Sequence, residues 1–170
     1  MEIIETADGS PTLSLDGGEK MHSLEGAFSE SLQIYGPCIH LALEQSHPKI
    51  LSMGLGLGYN EFISLALLLK MAKTSFWLHS FESQCFLSKE LQLWLNGGSS
   101  TLDSCYKQIA ERVSLHFQLP EQELKNFMEW ALREHRWKIH QSLPATNPTD
   151  LKFHGLLYDA FSNQSDPHLW

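Results

Sequence analysis

Three glycines spaced two apart, Gly54-Leu55-Gly56-Leu57-Gly58, separate a short apolar run beginning at Lys49 from an apolar, helix-like run over Phe62 to Met71. The pattern reads as strand, tight turn, helix. Glycine admits positive φ and leaves no Cβ in the way of a ligand. The helix that follows begins with unpaired N–H groups and the positive end of its dipole. Such a turn either cradles a cofactor or only connects a strand to a helix. Its G-x-G-x-G spacing is not the G-x-G-x-x-G of dinucleotide sites. Glu82 lies 24 residues beyond Gly58, at the end of a second apolar run. A carboxylate there can accept hydrogen bonds from both ribose hydroxyls of an adenosine cofactor, or it is a solvated strand end. Asp159 closes a further apolar run, in Asp159-Ala160-Phe161. It is either a site carboxylate or a helix N-cap, a role that Asn163 or Ser165 can fill equally well.

The elements that must position these residues follow from periodicity and breakers. Glu2 to Leu15 alternates weakly about Asp8-Gly9-Ser10-Pro11, which predicts a small hairpin or extended arm. Asp16-Gly17-Gly18 marks a second turn. A helix is expected to begin within or just after Met21 to Leu32, with Ser29 as a cap, and to be broken or kinked at Gly36-Pro37. Cys38 to Gln45 then reads as a helix ended by His47-Pro48. The helix after the glycines is expected over Glu61 to Lys73. Ser75 to Glu82 reads as a buried parallel strand. Phe86 to Trp94 reads as a helix, and Asn96 to Ser100 as its terminating loop. Leu102 to Arg112 and Leu124 to Leu132 read as two more helices. Val113 to Phe117 and Trp137 to His140 both alternate, and either is a candidate third strand. Leu143 to Asp150 reads as a loop, and Phe153 to Asp159 as the last strand. Strands alternating with helices imply βαβ units and a parallel sheet, with ligands beyond the carboxyl ends of the strands.

Composition narrows the class. A chain of 170 residues is one domain by its length, with 1–35 an N-terminal arm and 36–170 the core. An apolar content of 42% is ordinary for a folded globular chain. The net charge of −8 is not that of a strongly basic nucleic-acid binder. The run from Phe62 to Leu69 is too short to span a bilayer, so no membrane association is expected. The first residues lack the basic and apolar regions of a signal peptide. Cys38, Cys85 and Cys105 share no C-x-x-C spacing and read as reduced packing thiols of a cytoplasmic protein. The nine histidines form no H-x-x-x-H or zinc spacing, so no metal is expected.

Five segments taken in order carry a resemblance. They are Asp8 to Leu13, Met21 to Ser31, Gly54 to Glu61, Ser80-Phe81-Glu82, and Tyr158 to Phe161 with Pro167-His168-Leu169-Trp170. Together they resemble the MnmC-like methyltransferases, whose characterised members methylate the 5-aminomethyl group of a modified wobble uridine, 5-aminomethyl-2-thiouridine, in tRNA. The resemblance covers nearly the whole chain. It implies an α/β, Rossmann-like class I methyltransferase fold, a three-layer sandwich, with S-adenosylmethionine as cofactor. Gly54, Gly56 and Gly58 would pass beside the methionine part of the cofactor, and Glu82 would hold the ribose. Asp159, which also borders the cofactor, and Phe161 would sit at the methyl-transfer point. A carboxylate there can accept an N–H of the acceptor amine and aim its lone pair. Ser10, Thr12, His22 and Ser23 would line the cofactor or acceptor pocket.

The family pattern continues past the Leu-Trp motif through further strands, so a sheet without its usual C-terminal strands is expected here. That sheet would expose an edge at the Asp159 strand and favour self-association. A fused flavin-dependent oxidase, present in some members, is not matched, so FAD is not implied; an oxidase acting on the same nucleotide is then an expected partner. The acidic balance weighs against tRNA, since phosphate binding needs basic groups. Methylation of a small molecule or protein, or a cofactor-binding but inactive module, are the alternatives.

Overall fold

The computed structural model describes residues 1–14, 20–142 and 152–159. The expected turn at Asp16 to Gly18, the loop over Leu143 to Asp150, and Ala160 to Trp170 lie outside them.

The arm is a hairpin. Strands β1 (Glu2–Glu5) and β2 (Pro11–Ser14) pair antiparallel, Glu2 opposite Ser14 and Glu5 opposite Pro11. In the connection between the two strands, Thr6, Asp8 and Ser10 face the next element, helix α1 (Ala27–Leu43). The Ala27 N–H donates to Thr6 Oγ1 at 3.2 Å, the Phe28 N–H to Ser10 Oγ at 3.0 Å, and the Ser29 N–H to Asp8 Oδ2 at 2.9 Å. Three of the orphan donors of the first turn are therefore satisfied from another element. Ser29 is not the cap; it lies inside the helix, and Gly26 stands at the N-cap without a side chain to offer. Gly36-Pro37 does not break the helix, which continues through Pro37. Packing outweighs the lost bond there: Ile39, Ala42 and Leu43 are buried beyond the proline.

The core is a parallel sheet in the order β5-β4-β3-β6. Strand β3 (Lys49–Met53) leads through the glycines to helix α2 (Tyr59–Lys70), which begins two residues earlier and ends sooner than its sequence suggests. Strand β4 (Trp77–Phe81) lies beside β3 with Ser52 opposite Ser80. Helices α3 (Cys85–Leu95), α4 (Asp103–Phe117) and α5 (Glu121–Arg133) precede strand β5 (Trp137–His140). Strand β6 (Gly155–Tyr158), shorter than the apolar run that announces it, returns to the other side of β3. Of the two candidate third strands, Trp137 to His140 is the strand. Val113 to Phe117 is helical, the last turns of α4. Val113 and Phe117 are buried with Ile109 and Ala110, at helical spacing, whereas Leu115 is 75% exposed. Alternation of residue type there was not alternation of burial.

The register sorts the sheet into two faces. Ile50, Ser52, Leu78, Ser80, Trp137, Gly155 and Leu157 point to the helices; Ala42 and Cys38 of α1 lie against Gly155. The described helices pack on this side and on one another. The other face carries Leu51, Met53, Trp77, His79, Phe81, Lys138, His140, Leu156 and Tyr158. On it Trp77 stacks on His79, His79 on His140, and His140 on Phe81, while Lys138 lies over Trp77. Phe153, just before β6, meets His79 edge-on. No described helix covers this face.

Candidate functional site

The glycine turn is built by backbone geometry. Gly54, Gly56 and Gly58 have φ of 87°, 53° and 85°, a region that L side chains rarely adopt. The chain can therefore reverse between β3 and α2 within five residues. A Cβ at Gly56 would make only ordinary contact with Met21 Sδ, so conformation rather than space demands glycine there. The Gly54 and Leu55 N–H groups both donate to the Phe81 carbonyl, at 3.0 and 3.1 Å. These bonds fasten the turn to the end of β4.

The next residue of that strand end is Glu82, only 4% exposed. Its Oε2 accepts the Gly56 N–H at 2.8 Å and its Oε1 the Gln84 N–H at 2.7 Å. The Glu82 N–H in turn donates to the His140 carbonyl at the end of β5. The glycine turn and the carboxylate, separate in sequence, thus meet at one point. A carboxylate at this junction, an acceptor only when ionised, is the kind of group that ribose hydroxyls need. The observed groups fit an adenosine cofactor.

Asp159 lies beyond the end of β6, with its N–H on the Met53 carbonyl at 2.8 Å. It therefore stands beside the start of the glycine turn. Asn60, in the first turn of α2, donates from Nδ2 to Asp159 Oδ2 at 2.9 Å. Tyr35 of α1 donates its hydroxyl to the Tyr158 carbonyl at 2.7 Å and also bears on the Asp159 carboxyl. Burial pushes the Asp159 carboxyl up to about 6; the Asn60 and Tyr35 hydrogen bonds oppose the rise, and the Glu30 charge adds to it. A carboxylate so placed is ionised at neutral pH yet close to its titration. Phe161 lies outside the described residues.

The arm residues separate into two groups. Thr12 and His22 meet, Thr12 Oγ1 to His22 Nδ1 at 3.1 Å, and the His22 ring meets Tyr59 edge-on at 5.0 Å. Tyr59 opens α2 and donates its hydroxyl to the Pro11 carbonyl at 2.6 Å. This brings His22 and Met21 over the glycine turn. Burial lowers the His22 imidazole to about 4, so it is neutral at physiological pH. Ser10 is buried in the α1 cap, and exposed Ser23 accepts the Glu25 N–H in a local turn. Asn60, Tyr35 and Glu61 were not singled out from sequence. Asn60 carried a usable signal, a polar side chain in the helical turn after the glycines. Tyr35 carried none, because its partner is 123 residues away along the chain.

No protein-family model and no curated protein matches the chain. Among solved structures it is similar to the crystal structure of MNMC2 from Aquifex aeolicus, with a TM-score of 0.60 and 26% sequence identity. The match covers 99% of this chain and 52% of that one, so the chain spans about half the length of the structure it matches. The likeness agrees with the α/β, Rossmann-like architecture found here.

Proposed function

We propose that this chain is an S-adenosylmethionine-dependent N-methyltransferase of the MnmC type. The observation that carries the reading is the meeting of the Gly56 N–H with the Glu82 carboxylate at the ends of β3 and β4, with Asp159 beside the same turn. The likeness to MNMC2 and the order of the sequence motifs support it. The cofactor, when bound, supplies a methyl group on a sulfonium centre.

The remaining steps belong to the protein. Gly54, Gly56 and Gly58 offer backbone and no side chain to the cofactor. Glu82 accepts the ribose hydroxyls. Asp159, ionised above about pH 6, accepts an N–H of a neutral amine and turns its lone pair toward the methyl carbon. It is also placed to receive the proton lost by the methylated nitrogen. Asn60 holds the carboxylate from the other side. The expected acceptor is the aminomethyl group of a tRNA wobble uridine. Methyl transfer to a small molecule or protein is the second reading, and the net charge of −8 favours it.

Titration calorimetry with S-adenosylhomocysteine tests the cofactor. Binding is expected, weakened by about 1–3 kcal/mol in Glu82→Ala through loss of a charged hydrogen bond. A folded sample that gives no heat refutes the assignment. Transfer of labelled methyl to unmodified and aminomethylated tRNA then decides between the two acceptor classes.

A further inference from the structure

Glu61 has no place in the site as just described, yet it is wholly buried, with 0% of its surface exposed. It sits in the first turn of α2, against β4. Ser80 of β4 donates its hydroxyl to Glu61 Oε1 at 2.7 Å, and Trp137 of β5 donates its indole N–H to Ser80 Oγ at 3.0 Å. The other oxygen, Oε2, is buried without a hydrogen bond. The hydroxyl of Ser52, which faces the helix layer from β3 directly opposite Ser80, is likewise buried without a completed hydrogen bond, although it lies close enough to act on the Glu61 carboxyl. A carboxylic acid proton on Oε2 would serve both, donating to Ser52 Oγ and extending the run Trp137, Ser80, Glu61 to a third strand. An ionised carboxylate would place a charge in the core with no cation among the groups that act on it. Those groups are the Ser80 and Ser52 hydroxyls, its own backbone, and the like charge of Asp159.

The position gives this arrangement a consequence. Ser52 is two residues before Gly54, and Ser80 two before Glu82. Each hydroxyl thus belongs to a strand end that carries half of the cofactor site. Resting on the proposed function, we propose that Glu61 is a positioning residue: its uncharged carboxyl ties the ends of β3 and β4 to α2 and so sets the glycine turn against Glu82. Burial raises its carboxyl to about 7, against the pull of Ser80 and Ser52. Ionisation as pH rises through neutrality leaves a buried charge with no cation to compensate it, so the tie is kept in mild acid and strained above neutrality.

Glu61→Gln keeps the shape and replaces the acid proton by an amide N–H that does not titrate. Glu61→Leu removes the tie at every pH. Affinity for S-adenosylhomocysteine is measured from pH 5.5 to 8.5 on folded samples. The wild type is expected to weaken severalfold across pH 7, Glu61→Gln to hold its low-pH affinity, and Glu61→Leu to bind at least tenfold more weakly throughout. Identical pH profiles in the wild type and Glu61→Gln would overturn the proposal, as would Glu61→Gln binding as weakly as Glu61→Leu. Hydrogen exchange of the Gly54 and Leu55 amides in the free protein is the second readout. Relative to Glu61→Gln, their protection in the wild type should fall above pH 7. If the wild type binds no S-adenosylhomocysteine, the functional reading fails; the exchange data then decide the tie alone, and equal protection in both proteins refutes it.

Discussion

The Asp8 carboxylate in the hairpin turn accepts both the backbone N–H and the hydroxyl of Ser29, 21 residues later, at 2.9 and 2.6 Å. One side chain thereby joins the arm to the first turn of α1. A Cβ added to Gly26 would lie 2.6 Å from the same carboxylate oxygen, so glycine keeps the approach open. Hydrogen bonds from Ser10 and Ser29 overcome desolvation and hold the Asp8 carboxyl below the usual carboxylate range. Asp8→Ala is expected to destabilise the fold by about 1–2 kcal/mol, as loss of a cap does. Asp8→Asn should cost less. The folded-state value is depressed, so this stabilisation is full above the unfolded value near 3.8 and is lost as pH falls below it. Urea unfolding at pH 7 and pH 3 checks both statements: the gap between wild type and Asp8→Ala should narrow at the lower pH.

Asp159→Asn preserves size and removes the charge. If the carboxylate orients the acceptor amine, turnover should fall by well over tenfold while cofactor affinity stays near that of the wild type. The wild-type rate should also fall as pH drops through about 6, where the carboxyl protonates. The variant should lack that limb. Single-turnover rates from pH 5 to 8 give both results. A joint loss of affinity and rate would place Asp159 in the cofactor site or the fold instead.

Much of this arrangement was legible in the sequence because it is local. The glycine turn is legible because only glycine takes its φ values freely. Glu82 and Asp159 are legible because buried parallel strands read as apolar runs ending on polar residues. The errors arise where distant packing overrides a local signal. Pro37 lies inside α1 because buried residues beyond it hold the helix against β6. Val113 to Phe117 alternates in residue type, but burial follows the helical face it shares with Ile109. Nothing in the sequence around Glu61 announces that its partner hydroxyl is that of Ser80 on β4. Ser29 looks like a cap, whereas the capping side chains come from the hairpin.

The neutral His22 imidazole gives a pH response of opposite sign to that of Glu61. Its value is lowered from 6.5 to about 4 in the folded state by burial. The unfolded chain therefore binds more protons between those values, and stability falls as pH drops from about 6.5 to about 4. Replacing His22 by Phe should flatten that decline but leave the Thr12 hydroxyl without its partner, lowering stability at pH 7 by about 1 kcal/mol. The ring resonances of His22 should remain those of a neutral imidazole down to about pH 4. Protonation near 6.5 would mean that the ring is solvated and not held over Tyr59.

The sheet face without a described helix leads to the last prediction. Parallel sheets are ordinarily covered on both sides. Here Leu156 is 55% exposed and Trp77 40% exposed, whereas Met53, His79 and Phe81 on the same face are buried. The sequence suggested an exposed edge at β6; the register adds a face whose described strand residues include no carboxylate, in a chain of net charge −8. Exposed apolar patches of this kind mark association surfaces. The 170-residue chain is therefore expected to self-associate as its concentration rises. Trp77→Lys combined with Leu156→Lys should suppress the association, with a loss of folding stability of about 1 kcal/mol from the Trp77 stacking on His79. Sedimentation velocity over a concentration series, with urea unfolding of the same samples, separates the outcomes. A wild type that stays monomeric would show that the face is covered within the chain. Association that survives both substitutions would move the contact to the β6 edge, where backbone groups rather than these side chains hold it.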